Sequence, residues 1–375
     1  MLVEECRILE NQLSRNKVDY LQGFAEIHSK NSLKVKTSSG TLLDFDFDNL
    51  FLAVGSSPGP NPDWVPRDSR VYDSDQILGL SNVPKKMLLI GAGVIGCEYA
   101  SIFSKMGIEV TLLDRREKIL RGLDPDIQQA LCQAFAKDGM KLLLGLKDFK
   151  ISSSKDSILL ESPSTSDDFD VVLACMGRLG QGLRLKLADL GIEVNDKGFI
   201  VVNENYQSSL KNIYAVGDVI GPPSLAASGS EQGRLAALHA CTGAAPAFSK
   251  FFPVGIYTIP EVSTVGKGEE ELQNEKASFV VGKARYAELA RGKILGDEDG
   301  YLKMMVSKTD RKILGIQIMG TSASELVHIG QMAMALGGSL DFFVQNIFNY
   351  PTLAEAYKVA ALNAHNQLRE KENAK

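Results

Sequence analysis

Short apolar runs that end at glycines alternate along the chain with stretches in which apolar positions recur every three or four residues. Runs at residues 87–90, 110–113, 140–144 and 170–174 are typical of buried parallel strands. The periodic stretch that ends at Gly107 and the one at 125–137 are typical of helices, the second with Asp124 as its cap and Pro125 at its first position. The order of these elements predicts an α/β fold.

Shorter elements surround this region. Before residue 84 the pattern predicts a helix at 3–14, strands at 18–21, 25–27, 33–37 and 50–54, and a strand at 44–48 with one dry face. A polar hairpin is expected at 147–164, strands at 199–202 and 213–216, and a helix at 224–241. From residue 251 onward, strands at 255–259, 279–283, 301–306 and 313–319 and helices at 324–336 and 352–368 predict an α+β domain.

Three glycines follow the first buried run at the spacing G-x-G-x-x-G, and an acid ends the next strand: Gly91, Gly93, Gly96 and Asp114. In a dinucleotide-binding turn the first glycine permits a tight turn, the second lets backbone approach the pyrophosphate, and the third lets the helix pack closely. Val94 and Ile95 lie in the same turn, where helix N–H groups would face the phosphates. An ordinary βαβ crossover is the alternative, but strand, turn, helix, strand and acid together favour a nucleotide site.

The end of this unit leaves the choice of nucleotide open. Asp114 is expected to accept a hydrogen bond from the adenosine ribose, which favours NAD. Arg115 and Arg116 follow directly and could bind the additional phosphate of NADP. A solvated turn is an equally good interpretation of the two arginines. We therefore expect both NADH and NADPH to bind, NADH more tightly.

A glycine followed directly by an acid, Gly217 and Asp218, comes after the apolar run at 213–216. A carboxylate at a strand end can reach a polyol hydroxyl of a bound flavin, and the start of the helix at 224–241 could stabilise charge on a reduced flavin. Gly55 lies in a turn where backbone can approach a ligand closely. Taken as isolated residues, these positions are more often a simple turn and a helix cap.

Composition narrows the function classes. A chain of 375 residues with a net charge of −5 and no long basic run is expected to form two or three domains and not to bind nucleic acid. No apolar run reaches the length of a membrane span and the start is unlike a signal peptide, so a cytoplasmic protein is expected. The cysteines have neither C-x-x-C nor metal-ligand spacing and are expected to be reduced, mostly buried thiols, with no metal site.

Five motifs, at 53–58, 91–98, 176–178, 214–218 and 349–355, resemble the flavin-dependent pyridine nucleotide-disulfide oxidoreductases in sequence and in order. Longer stretches at 72–75, 91–103, 256–261, 348–352 and 354–357 are similar to the transhydrogenase branch of that family. The resemblance implies three-layer, Rossmann-like FAD- and NAD(P)-binding domains and a C-terminal α+β dimerisation domain. It also implies hydride transfer from NADPH to NAD through FAD, in a homodimer.

The family pattern implies four segments. Residues 1–78 would be a remnant of the FAD-binding domain, 79–196 the NAD(P)-binding domain, 197–250 the return segment of the FAD-binding domain, and 251–375 the dimerisation domain. Within the flavin segments, Gly217 and Asp218 match the ribityl motif, and Leu225 and Ala226 match the helix start beneath the flavin ring.

Four further residues take roles from the same resemblance. Glu98 matches the acidic residue near the nicotinamide, and Gly177 matches the strand end over which the nicotinamide lies. Tyr350 stands where disulfide reductases carry a histidine, paired there with the acid that matches Glu355. Because the ordinary pKa of tyrosine is about 10, it is a poor proton shuttle at neutral pH. Tyr350 thus favours a transhydrogenase, although packing at a subunit interface is an equally good interpretation of it.

The chain departs from the family pattern at its start. Members open with a strand, loop and helix for the FAD pyrophosphate and then a helix with a redox cysteine pair, and neither is found here. The FAD domain is therefore expected to lack at least about 30 residues, to expose apolar residues at 50–54 and 213–216, and to hold little flavin. Three hypotheses remain: a truncated transhydrogenase, a dihydrolipoamide dehydrogenase-like reductase, which the missing cysteine pair disfavours, and an inactive fragment that binds nucleotide or a partner.

Overall fold

The computed structural model describes residues 2–373, with the side chains of residues 3–369. These residues form two compact units. The first comprises the chain up to Ser57 together with Leu179–Phe248, and the second comprises Pro58–Arg178 together with the chain from Ser249 onward. Each unit therefore combines segments that are distant in sequence.

The first unit begins with a helix and a small antiparallel sheet. Its elements are α1 (Leu2–Arg15), β1 (Gly23–Ile27), β2 (Ser32–Thr37), β3 (Leu42–Asp46), β4 (Leu50–Leu52) and, at its end, β5 (Ser56–Pro58). The predicted dry face of residues 44–48 is wrong for β3, which is the exposed edge of the sheet β1-β2-β3 along its whole length. Phe47, just beyond β3, is half-buried against the core that contains Leu52. The strand predicted at 18–21 is also wrong, since those residues connect α1 to β1 without regular structure.

The second unit contains a parallel sheet. In chain order its elements are β6 (Val71–Tyr72), β7 (Lys86–Ile90), α2 (Val94–Lys105), β8 (Glu109–Asp114), α3 (Pro125–Lys137), β9 (Lys141–Leu144), β10 (Lys150–Ser153), β11 (Ile158–Ser162), β12 (Thr165–Phe169) and β13 (Val171–Ala174), with β14 (Arg178–Gly180) where the chain leaves it. The strand order is β6-β13-β7-β8-β9, and every pairing is parallel. The bounds predicted for α3 are confirmed.

Strand β7 shows why its apolar run is continuous rather than alternating. Met87 and Leu89 pack with α2 and α3 in one core, whereas Leu88 and Ile90 pack with residues of β10, β11 and β12 in another. Because both faces are covered, each of these four side chains is at most 2% exposed. Helices, parallel sheet and antiparallel strands thus form the three layers that the sequence predicted.

The chain returns to the first unit with β15 (Ile213–Ala215) and α4 (Ala226–Thr242). β15 pairs in parallel with β4. Phe51 and Val54 are 37% and 45% exposed, whereas all of β15 is buried, so the predicted exposure holds on the β4 side alone. The strand predicted at 199–202 is wrong, since Ile200 forms an isolated bridge with Val194 instead.

The chain from Ser249 onward, here called the C-terminal domain, is α+β as predicted. Its elements are β16 (Val254–Ile256), β17 (Val262–Gly266), α5 (Glu269–Asn274), β18 (Phe279–Arg285), α6 (Ala290–Leu295), β19 (Tyr301–Ser307), β20 (Ile313–Met319), α7 (Ala323–Ala335), α8 (Leu340–Gln345) and α9 (Glu355–Asn373). The strands form an antiparallel sheet in the order β16-β17-β20-β19-β18. Ile256, Val262 and Met319 belong to the same core as α2 and α3, so this domain packs on the helices that cover the parallel sheet.

Candidate functional site

The carboxyl edge of the parallel sheet brings three predicted site positions together. Ile90 pairs with Ala174 on one side and with Leu113 on the other. Gly91, Gly177 and Asp114 therefore lie at or just beyond the ends of three neighbouring strands. Ligands of open α/β sheets bind at this edge.

Gly91 and Gly96 are required by close packing within the turn. Gly91 has a φ of +105°, and a Cβ added to it would lie 2.4 Å from the carbonyl oxygen of Cys175. A Cβ added to Gly96 would lie 1.8 Å from the carbonyl oxygen of Gly91. A side chain at Gly96 would push α2 away from the end of β7, and one at Gly91 would collide with the backbone that follows β13.

Gly93 differs, because no atom of the described chain lies within 4 Å of an added Cβ. The absence of a side chain at Gly93 is therefore not explained by packing, and it leaves room for a ligand. Gly93 is the cap of α2, Val94 is 43% exposed, and Ile95 is half-buried. The first N–H groups of a helix lack partners within the helix, so this open space adjoins a place suited to phosphate.

Asp114 is buried and its carboxylate organises the turn. It accepts hydrogen bonds from the Ala92 N–H at 2.7 Å, from the Arg116 N–H at 2.8 Å, and from Arg116 Nε and Nη2 at 3.0 and 2.7 Å. Burial raises the pKa of Asp114, but the hydrogen bonds from Arg116 and Ala92 outweigh burial and hold the pKa below its ordinary value. The acid thus ties the end of β8 to the glycine turn, and its contact with the adenosine ribose stays a prediction.

The two arginines after Asp114 lie in different surroundings. Arg116 pairs with Asp114, whereas the Arg115 guanidinium lies 5.7 Å from the ring centre of Trp64 and 5.8 Å from that of Phe149. The sequence did not separate them, because both rings reach Arg115 from distant segments. The role of Arg115 in binding a nucleotide phosphate stays a prediction.

Glu98 on α2 is anchored by the C-terminal domain. Its Oε1 accepts the Tyr257 N–H at 2.8 Å, and the pKa of Glu98 is raised by burial. Ser101, one turn later, donates to the Glu98 carbonyl and accepts the Ile259 N–H at 3.2 Å. The sequence did not predict that Tyr257 and Ser101 support Glu98. The available signal was the stretch at 256–261, which is similar to the transhydrogenase branch of the family.

Gly177 is left-handed, with a φ of +112°, and no described atom lies within 4 Å of an added Cβ. Its carbonyl accepts the Gly59 N–H at 3.0 Å. Like Gly93, this glycine leaves open space at the carboxyl edge of the sheet.

The second predicted site lies in the first unit, at the ends of β4 and β15. Gly217 has a φ of +73°, and its N–H donates to Gln232 Oε1 at 2.8 Å. Asp218 Oδ2 accepts a hydrogen bond from Ser56 Oγ at 3.0 Å, which joins its turn to that of Gly55. Leu225 is the cap of α4 and Ala226 its first residue.

Tyr350 and Glu355 lie at the start of α9. The Tyr350 side chain is 75% exposed. Glu355, the first residue of α9, accepts the Thr352 N–H at 3.2 Å through its Oε2. The contacts described within one chain therefore give Glu355 a local partner rather than Tyr350.

None of the helices in the described part of the chain combines the length and apolar character that crossing a bilayer requires. The five cysteines are all free thiols, but the expectation that most of them are buried is wrong. Cys97 is buried, whereas Cys6 and Cys241 are exposed, because they lie on the outer surfaces of α1 and α4. Burial raises the pKa of Cys97 and raises that of Cys175 to about 12.

Two sequence families match the chain. The pyridine nucleotide-disulphide oxidoreductase family covers residues 4–233, and the dimerisation domain of the same enzymes covers residues 252–361. The chain therefore belongs to the pyridine nucleotide-disulphide oxidoreductase family. That family assignment implies FAD and NAD(P) as cofactors, as the sequence predicted.

Among individual relatives, the chain is similar to the soluble pyridine nucleotide transhydrogenase of Mycobacterium bovis, with 41% identity over 371 residues, which is 98% of this chain and 79% of the relative. The enzyme of the same name from Pseudomonas putida is 41% identical over 359 residues, 95% of this chain and 77% of the relative.

Solved structures share the fold. The HOCl-induced flavoprotein disulfide reductase RclA from Escherichia coli superimposes with a TM-score of 0.86 at 25% identity, covering 95% of this chain and 83% of that one. LpdA from Mycobacterium tuberculosis superimposes with a TM-score of 0.87 at 21% identity, covering 96% of this chain and 80% of that one.

Proposed function

We propose that this chain acts as a transhydrogenase-type flavin oxidoreductase, which binds NAD(H) and NADP(H) and passes hydride from NADPH to NAD by way of FAD. The names of relatives that are 41% identical over nearly the whole chain support the reaction. The proposal that the chain binds a nucleotide rests on the contrast among three glycines. At Gly91 and Gly96, neighbouring backbone occupies the space that a side chain would need, whereas Gly93 faces open space.

Nucleotide binding would use the carboxyl edge of the parallel sheet. The N–H groups at the start of α2, beside Gly93, would bind the pyrophosphate. Asp114 would contact the adenosine ribose and hold Arg116, and Arg115 would be available for the NADP phosphate. Gly177 would leave room for the nicotinamide ring, and Glu98, held by Tyr257, would lie beside that ring.

The residues of the first unit fit a flavin. The left-handed Gly217 turns the chain so that Asp218 and the Gly55 turn meet through Ser56, and α4 starts shortly after. Bound there, FAD would supply a two-electron centre between the two nicotinamides. Asp218 would hold a ribityl hydroxyl, and the backbone at Leu225 and Ala226 would stabilise negative charge on the ring.

We further propose a homodimer, in which Tyr350 and Glu355 approach the partner's active site. The match of residues 252–361 to the dimerisation domain supports it. Large apolar side chains are also exposed on the C-terminal domain, notably Leu336 at 81%, Ile347 at 96% and Tyr350 at 75%. The four predicted segment boundaries stay part of this proposal.

Calorimetric titration with NADH tests the proposal on the chain as it stands. Gly93→Ala should weaken binding roughly tenfold or more, about 1.4 kcal/mol, because the added methyl group occupies the space left for the pyrophosphate. Its thermal unfolding should match that of the wild type, since no described atom outside the adjacent residues lies within 4 Å of the new Cβ.

Gly233→Ala is the matched control. Gly233 lies in α4, away from the proposed nucleotide site, and a methyl group added there also meets no described atom within 4 Å outside its own helix and its adjacent residues. It should leave NADH binding unchanged. Wild-type affinity in Gly93→Ala would remove the glycine turn as the nucleotide site. Reduction of an NAD analogue by NADPH, assayed with added FAD, then tests the reaction itself.

A further inference from the structure

Lys303 on β19 is a fully buried amine that joins two domains. It is 1% exposed, and its Nζ lies 2.8 Å from Asp124 Oδ2, 2.7 Å from Asp126 Oδ1 and 2.6 Å from Glu269 Oε1. Asp124 and Asp126 come from the start of α3 in the nucleotide-type fold, and Glu269 comes from the start of α5 in the C-terminal domain.

The charges around Lys303 explain why it stays ionised in this position. Burial lowers the pKa of Lys303, but the three carboxylates outweigh burial and raise the pKa above its ordinary value. Burial likewise raises the pKa of Asp126, yet hydrogen bonds from Lys303 and Lys283 hold it at about 2. Lys303 and Asp126 are therefore ionised at neutral pH. Removing Lys303 takes away the amine that all three acids share, and among the described residues Asp126 keeps its contact with Lys283.

The same cluster explains an unusual helix start. Asp124 has the position of a cap, but its side chain does not cap α3. Instead its Oδ1 accepts the Glu269 N–H at 2.8 Å, and its own N–H donates to Gln317 Oε1 at 3.1 Å. The start of α3 is thus fixed by the C-terminal domain.

A chain of hydrogen bonds connects this start to the glycine turn. Gln128, one turn into α3, donates from Nε2 to the Leu120 carbonyl at 3.2 Å. Leu120, which is buried and left-handed with a φ of +44°, donates its N–H to the Ala92 carbonyl at 2.9 Å. Ala92 lies between Gly91 and Gly93, and its N–H is held by Asp114.

We infer that Lys303 is a positioning residue for nucleotide binding: through Asp124, Gln128 and Leu120 it holds the carbonyl side of Ala92, and so the glycine turn, in the conformation that receives the pyrophosphate. The inference rests on the proposed function, since it assigns a support to the same nucleotide site. It makes the C-terminal domain part of that site's framework, although Lys303 itself does not contact the nucleotide.

The three carboxylates offer a specific rescue. One oxygen from each of Asp124, Asp126 and Glu269 lies within 4.8 Å of the others, a spacing that suits a divalent cation. In Lys303→Ala, calcium can take the place of the amine and restore the positive charge between the two domains.

The experiment measures NADH affinity and thermal unfolding for wild type, Lys303→Ala and Lys283→Ala, each in excess chelator and in millimolar calcium. Lys303→Ala should bind NADH roughly tenfold more weakly in chelator and recover most of that loss in calcium. Lys283→Ala is the matched control, because Lys283 is half-exposed and contacts Asp126 alone among the three acids. It should change affinity less than about twofold in either condition.

Gln128→Met serves if Lys303→Ala does not fold, because it removes the bond to Leu120 without changing charge, and it should weaken NADH binding several-fold. Unchanged affinity in whichever variant folds overturns the inference. So does a calcium effect that raises the unfolding temperature of Lys303→Ala while its affinity stays low, since Lys303 would then act on stability alone. A wild-type chain that fails to bind NADH would instead overturn the proposed function.

Discussion

Two glycine turns followed by helices can be compared in this molecule, one in each unit. In the turn that contains Gly91 and Gly93, Gly96 on α2 faces the Gly91 carbonyl so closely that an added Cβ would lie 1.8 Å from the carbonyl oxygen. In the turn that contains Gly217 and Asp218, Gly229 on α4 faces Gly217, and a Cβ added to Gly229 would lie 3.2 Å from the Gly217 Cα. The first turn is packed to the limit of contact, and the second has a little room.

The surrounding sheets differ in the same way. The first turn lies at the edge of a five-stranded parallel sheet that is covered on both faces, whereas in the described chain β15 pairs with β4 in a two-stranded sheet. Asp114 accepts four hydrogen bonds in the first turn, and Asp218 accepts one from Ser56 in the second. Similar glycine-turn motifs are therefore held in place by very different numbers of neighbouring strands and hydrogen bonds.

The largest effect is expected for Gly96→Ala. The new methyl group would overlap the Gly91 carbonyl, so the free energy of unfolding should fall by at least about 3 kcal/mol and NADH binding should be lost. Gly229→Ala should be nearly neutral, because the mild crowding is offset by the preference of a helix for alanine over glycine, about 1 kcal/mol.

Urea unfolding of the two variants measures this difference. Equal destabilisation by the two substitutions would contradict it and would mean that the two turns are equally tight.

A smaller effect is expected for the acids. Asp114→Asn should lower the free energy of unfolding by about 2 kcal/mol, because it removes the charge of a buried carboxylate that accepts four hydrogen bonds and pairs with the exposed Arg116. Asp218→Asn should cost less than about 1 kcal/mol, since an amide oxygen can still accept the bond from Ser56.

The pH dependence provides the control for this pair. Because the pKa of Asp114 is held below its ordinary value, its contribution is present above about pH 4 and is lost as the pH falls further. The gap in stability between wild type and Asp114→Asn should therefore narrow in acid. A gap that stays constant would show that the carboxylate charge contributes nothing.

The smallest effect concerns Arg115, on the periphery of the first turn. Trp64 is the single tryptophan of the chain and lies beside the Arg115 guanidinium. If the phosphate of NADP draws Arg115 away, a contact of less than about 1 kcal/mol is lost and the fluorescence of Trp64 should change.

Titration with NADP⁺ should thus alter the emission of Trp64, and titration with NAD⁺ should not. In Arg115→Ala the two titrations should look alike. An equal response of the wild type to both nucleotides would count against a phosphate-binding role for Arg115.

Much of the fold could be predicted from the sequence because it depends on local pattern. The bounds of α3 and of β20 match the prediction, since a proline start and a long apolar run are local signals. Residues 18–21 and 199–202 were wrongly predicted as strands, because an apolar run does not reveal whether a neighbouring strand is available to pair with it.

The sequence by itself determined the glycine turn, its acid and the likeness to an oxidoreductase family, because tight turns and phosphate binding require particular residues at fixed spacing. Only the tertiary structure decided what those residues contact. It placed Arg116 rather than Arg115 on Asp114, and it turned the Asp124 side chain from its own helix toward Lys303. The first outcome depends on the rings of Trp64 and Phe149, which reach Arg115 from distant segments, and the second on Lys303, a charged group from a distant segment. Packing and burial, rather than sequence spacing, set both contacts.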